Sequence, residues 1–200
     1  MALNANALTT LAMAKVYLKI PTAELTMDSM VELFINASSQ MIESETDRKL
    51  KAQSLTEVHH GRNSNIIMMN EWPVNSITEL RVGGDFSDAA TIIDPSEYSI
   101  GDESNCVILK NRRFDRGYNN VQIIYNGGYA AIPSDLEHAC LWMVYYYRMM
   151  RESGDIGRPS KGKGDESISV LQEAPNDVKN VIARYRRMEI PNSGLPMSNI

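Results

Sequence analysis

The sequence has little of what most catalytic, metal-binding or membrane functions require. Only two cysteines occur in 200 residues, Cys106 and Cys140, with no Cys-x-x-Cys spacing around either. Each falls in an apolar run, so both read as small buried hydrophobes rather than a disulfide or ligand pair. Of the three histidines, His59 and His60 are neighbours in a strand-like run, where successive side chains point to opposite faces, and His138 has no spaced partner ligands. No metal and no cofactor is expected. The longest apolar stretch, residues 139–147, falls well short of the roughly 18 residues of a membrane span. The first residues lack the basic and apolar regions of a signal peptide, which predicts a protein that starts in a cytoplasm. Positive charge is also scarce. A net charge of -5 argues against duplex DNA wrapped over the whole surface, so any basic contact must be local.

Catalytic signatures are missing too. There is no Gly-x-Ser-x-Gly elbow and no His-Glu-x-x-His helix. Residues 157–163 follow the phosphate-cradling pattern until Gly164 replaces the magnesium-binding Ser or Thr, and the segment follows a helix where a working loop follows a buried strand. Gly83-Gly84-Asp85-Phe86 fits an ordinary turn. The chain is therefore expected not to be an enzyme.

What is present is a foldable chain. With 43% hydrophobic and 22% charged residues it can bury one core with appendages. Residues 8–19 predict a helix with Thr9 or Thr10 as cap and Pro21 as stop. Residues 28–49 predict a second, with Met30, Val31, Phe34, Ile35, Ser38, Met41 and Ile42 on one arc. Residues 55–60 and 66–69 flank a turn-rich link and read as a β-hairpin, with further strands at 77–82, 98–100, 106–109 and 121–125. A third helix opens near Pro133 and ends near Glu152. Leu136, Cys140, Val144 and Tyr147 face one way on it, and Trp142, Tyr145 and Met149 the other, which predicts burial on nearly all sides. Its cover comes either from its own chain or from neighbouring subunits, with Trp142, Tyr145, Tyr146 and Met149 as the inter-subunit candidates. Pro175 opens a last helix whose stripe is Val178, Val181, Ile182, Tyr185 and Met188.

The expected fold is mainly α (α+β): a bundle of about four helices with a small antiparallel β insertion between helices two and three. The divisions are 1–154 for the core, with the insertion at about 54–126, then 155–174 as a flexible loop and 175–200 as a C-terminal helix and tail.

The order of these elements resembles the head-tail connector (adaptor) family of long-tailed double-stranded DNA bacteriophages. The stretches that carry the likeness are Leu18-Lys19-Ile20-Pro21, Glu71-Trp72-Pro73-Val74-Asn75-Ser76-Ile77, Val121-Gln122-Ile123-Ile124-Tyr125-Asn126-Gly127-Gly128-Tyr129, Pro133-Ser134-Asp135-Leu136, Asp177-Val178-Lys179 and Tyr185-Arg186-Arg187. Trp72 is either a core residue or an interface anchor. The resemblance implies a structural virion protein of the neck, assembled in the host cytoplasm into a homo-oligomeric, commonly dodecameric ring. Its partners would be the portal and a neck, stopper or tail protein, with double-stranded DNA passing through the channel without sequence readout. The rival reading is an assembly chaperone or binding protein outside the virion. Val178, Val181, Ile182, Tyr185, Arg186, Arg187 and Met188 are candidates for docking on the portal or a neighbour. The alternative is that this helix closes the bundle of its own subunit.

Overall fold

The structure is a computed structural model that describes residues 2–88, 91–152 and 174–187. Helix α1, Leu11–Tyr17, starts where the Thr10 side chain accepts a hydrogen bond from the Met13 N–H at 3.2 Å. Beyond it, buried Lys15 donates to the backbone oxygens of Thr22 and Glu24 and pairs with Asp28, pinning the link to the next helix. Helix α2, Asp28–Thr46, buries Val31, Ile35, Ser38 and Ile42 at helical spacing. It stops three residues earlier than the periodicity suggests, because Asp47 takes a left-handed conformation with φ 50°.

The expected bundle with one small β insertion is not what the chain forms. Of the described residues 36% are helical and 27% are in strands, with two three-stranded antiparallel sheets. Strands β1 (Gln53–Gly61), β6 (Gly117–Gly127) and β3 (Val74–Val82) make one sheet in the order β1-β6-β3. Strands β2 (Ile66–Met68), β5 (Cys106–Leu109) and β4 (Tyr98–Ile100) make the other, in the order β2-β5-β4. Both contribute to one core, in which Leu80, Val121, Ile123 and Tyr125 of the first sheet meet Ile67, Tyr98, Val107 and Leu109 of the second. The β region is thus a body with its own interior.

The expected hairpin between β1 and β2 is also corrected. β1 pairs with β6 from Gln53↔Gly127 to Gly61↔Gly117, so residues 61–65 carry the chain from one sheet to the other. The closeness at Gly61 is decisive, since an added Cβ there would lie 1.8 Å from the backbone oxygen of Asp115.

Helix α3, Ser134–Glu152, is the spine of the helical half. Leu136, Ala139, Cys140 and Met143 enter a core with Leu8, Ile42 and Leu50, whereas Leu141 and Val144 enter a second with Ala14, Leu18, Val31 and Ile35. Helix α4, Asn176–Tyr185, completes the first of these through Val178 and Ile182.

Leu80 is fully buried in the β core. Truncation to alanine should cost about 2–5 kcal/mol, whereas Val58→Ala on an exposed site should cost within about 0.5 kcal/mol. Thermal melts read both, and equal midpoints for the two variants would contradict a packed β body.

Candidate assembly surfaces

The densest polar cluster lies where the helices meet the β body, and sequence reasoning did not find it. The side chain of Arg48, just past the α2 cap, is fully buried. Its guanidinium lies 3.6 Å from the centroid of the Trp72 ring, donates to the Tyr185 backbone oxygen at 3.2 Å and to that of Trp72, and stands 3.7 Å from Glu71 Oε2. Burial lowers its affinity for the proton, Tyr129 and Glu71 oppose that, and Arg187 adds to it. Glu71 in turn accepts from the Lys49 N–H at 2.9 Å and from Arg187 at 2.7 Å. Burial pushes its carboxyl up, and these donors only partly offset the shift. In the sequence these segments stand out only through Glu71-Trp72-Pro73, with Trp72 as core residue or interface anchor, and through Gly128-Tyr129. A tryptophan and a glutamate beside a proline between strands was the only signal, and it did not point to an arginine elsewhere in the chain.

Aromatic rings extend the junction. Tyr129 meets Trp72 edge-on at 6.4 Å and Tyr185 at 5.8 Å, and the Tyr185 hydroxyl donates to Asp135 at 2.8 Å. Trp72 is half-buried, roofed by Arg48. On the β side, the Tyr125 hydroxyl donates to Glu57, which also accepts from Asn70 and contacts His59 Nε2 at 2.7 Å. Burial pushes Glu57 up, but the hydrogen bonds from His59, Tyr125 and Asn70 outweigh it and hold the carboxyl below its ordinary range.

The docking candidates of the last helix lie against their own subunit. Val178 and Ile182 are buried, and Val181 and Tyr185 pack at the edge of the same core. Arg186 pairs with Glu45 at 3.4 Å, and Arg187 with Asp47 at 3.4 Å and with Glu71. Met188 lies outside the described residues. The helix therefore sits as a bundle helix of its own chain.

The inter-subunit candidates do share a face. Trp142 stacks on Tyr146 at 5.5 Å with 23° between planes, and Tyr145 and Met149 beside them are 44% and 45% exposed. Among the described residues two faces of α3 fill cores, and on the third Tyr145 and Met149 keep nearly half of their surface exposed.

Among the described residues no group of three or more His, Cys, Asp or Glu is placed to hold a metal ion, and no helix is long and apolar enough to cross a membrane. Cys106 and Cys140 are buried free thiols, and burial pushes Cys140 up to about 12. Asp85 caps its turn by accepting from Ser87. The phosphate-loop-like segment lies outside the described residues.

A family model for head completion proteins matches residues 7–188, nearly the whole chain. The chain belongs to the head completion protein family. Solved structures agree in fold. The neck of an empty gene transfer agent particle, computed with C6 symmetry, contains a chain matching at TM-score 0.63 and 15% identity, covering 96% of each. The neck of the native particle, computed with C12 symmetry, gives TM-score 0.60 at 16% identity, covering 96% of this chain and 98% of that one. The virion of the native particle gives 0.58 at 16%, covering 96% and 95%. No curated protein matches in sequence. Family and fold support the structural head-tail connector role that the order of elements implied.

Two outcomes test the junction. Arg48→Ala leaves Glu71 buried with one cation fewer and removes the donor to two backbone oxygens, so it should cost about 3–5 kcal/mol in a denaturant titration. Acid is the second test. Because the folded pKa of Glu57 is depressed, its contribution is present above the ordinary value of 4.5 and lost as pH falls through the folded value. Glu71, with a raised pKa, has the opposite sign, its contribution being fully present below 4.5 and lost as pH rises. Glu57→Gln should flatten the loss of stability below about pH 4.5 while leaving the Glu71 dependence above it; an unchanged acid limb would refute the Glu57 assignment.

Proposed function

We propose that this chain is a structural head-to-tail connector of a phage-like particle. It acts without catalysis as one subunit of a homo-oligomeric ring between the portal and the neck or tail. The observation that carries the ring is the third face of α3. The stacked, half-buried Trp142 and Tyr146 and the exposed Tyr145 and Met149 share one face at helical spacing, on a helix whose other two faces are filled. A subunit in a ring presents two different surfaces to its two neighbours, and a strip of this kind supplies the apolar anchor for one of them. The C6 and C12 symmetries of the gene transfer agent necks support a cyclic arrangement.

Portal contact is assigned to the C-terminal segment. Val178 and Ile182 serve as its anchor in the subunit, and Arg184 and Arg186, the more exposed groups, are available to acidic partners. Their present pairs with Asp135 and Glu45 are surface pairs of small energy, so exchange for a partner's carboxylates is inexpensive.

Replacing Tyr145 and Met149 together by glutamate should leave the melting midpoint within a few degrees, because both are exposed. The same variant should abolish ring assembly in native mass measurement and the joining of heads to tails in a complementation assay. A folded double variant that still forms complete particles would refute the interface.

A further inference from the structure

Among the described residues a group of exposed cations lies on the β body, far in sequence from the helices used above. Two loops, residues 61–65 and 110–117, are laced together. The Asn63 N–H donates to the Phe114 oxygen at 2.9 Å and the Phe114 N–H to the Ser64 oxygen at 2.8 Å. Asn120 closes the other end, accepting from the Gly61 N–H at 2.7 Å and donating to the Asp115 oxygen at 2.9 Å. Phe114, fully buried, anchors the pair in the β core. The loops are held by backbone bonds at one end and by the Asn120 side chain at the other.

On this support stand Arg62, Lys110, Arg112, Arg113 and Arg116, all exposed, five of the chain's 20 lysines and arginines. The two loops carry one acid, Asp115. Arg112 pairs with Glu97 at 3.0 Å. Among the described residues Arg62, Arg113 and Arg116 have no carboxylate partner, although Arg113 donates to the Asn63 oxygen at 3.4 Å and so joins the two loops. Beside them Tyr118 is 82% exposed and stacks on His60 at 4.5 Å with 19° between planes. A protein of net charge -5 that fixes like charges together without neutralising them carries a repulsive cost, and a polyanionic partner removes it. Arginine favours phosphate oxygens through its planar fork, and an exposed tyrosine hydroxyl is a further phosphate donor.

We propose that the joined loops 61–65 and 110–117 form a phosphate-binding platform for the backbone of duplex DNA, with Arg62, Arg113 and Arg116 as its contacts and Tyr118 at its edge. The inference rests on the neck reading only in that DNA crosses the neck. The contact is without sequence readout, because fixed loops bearing guanidinium groups meet phosphates and not base edges.

The test uses the full chain and a fluorescent random-sequence duplex, with anisotropy followed over a salt series. Binding should weaken linearly in log salt, and the triple variant Arg62→Gln, Arg113→Gln, Arg116→Gln should lower the slope by about 2.7, the value for three lost phosphate contacts. A control that removes the same charge elsewhere, Lys19→Gln, Lys51→Gln, Arg151→Gln, should lower the slope by clearly less. Matching melting midpoints establish that all three proteins are folded. No binding at low salt, equal loss in both triples, or tighter binding to poly-glutamate than to the duplex would overturn the proposal, the last by assigning the platform to an acidic protein surface. A triple variant that still assembles into particles but no longer holds DNA supports the platform. A chain that binds DNA through these residues yet is absent from particles sinks the neck reading alone.

Discussion

A buried guanidinium must be paired and hydrogen-bonded, and that requirement at Arg48 fixes how the two halves of this protein sit together. The α2 cap at Asp47 delivers Arg48 to a point where the oxygens of Trp72 and Tyr185, the Glu71 carboxylate and the rings of Trp72 and Tyr129 converge. Those groups come from the segment before β3, the exit of β6 and the end of α4. No single element holds the junction, so a displacement of any one leaves a buried charge or carbonyl without its partner. The β body and the helical half have separate apolar interiors, and their relative placement therefore depends on a polar contact of high directional demand.

The helical half follows from how α3 divides its surface. Two stripes fill two cores, and the third carries aromatic and thioether groups that no part of the described chain fully covers. A face of this composition is poorly served by water and well served by a flat neighbour. Aromatic and methionine side chains supply contact area while losing little conformational freedom when they are already stacked, as Trp142 and Tyr146 are.

Much of this was legible in the sequence where structure is local. Thr10 caps α1, the α2 stripe at Val31, Ile35, Ser38 and Ile42 faces inward, and the runs 98–100 and 106–109 are strands at those positions. What was not legible is non-local pairing. Residues 55–60 and 66–69 look like a hairpin because they are adjacent and alternate, yet β1 finds its partner some sixty residues on, at Gly117–Gly127. The same blindness made the β region look like a small insertion, since a core shared by two sheets is visible only when the sheets are paired. For the candidate surfaces the pattern is similar. The α3 strip was readable from periodicity, while Arg48, Glu71 and the joined cationic loops depend on contacts between distant segments.

The C-terminal helix illustrates why a stripe alone does not identify its occupant. Val178, Val181, Ile182 and Tyr185 demand a surface, and both a partner's groove and the subunit's own core satisfy that demand equally well at the level of periodicity. Energetics separates the two kinds of contact that the helix makes. Its apolar side chains lose water on entering the core, at about 25 cal/mol per Å², a stabilisation that salt does not screen away. Its arginines at 184 and 186 hold exposed carboxylates, where each pair is worth at most about 1 kcal/mol and is screened by salt. The helix thus has a fixed inner side and an exchangeable outer one. Arg187, half in and half out between Asp47 and Glu71, lies at the boundary and couples the outer rim to the junction around Arg48.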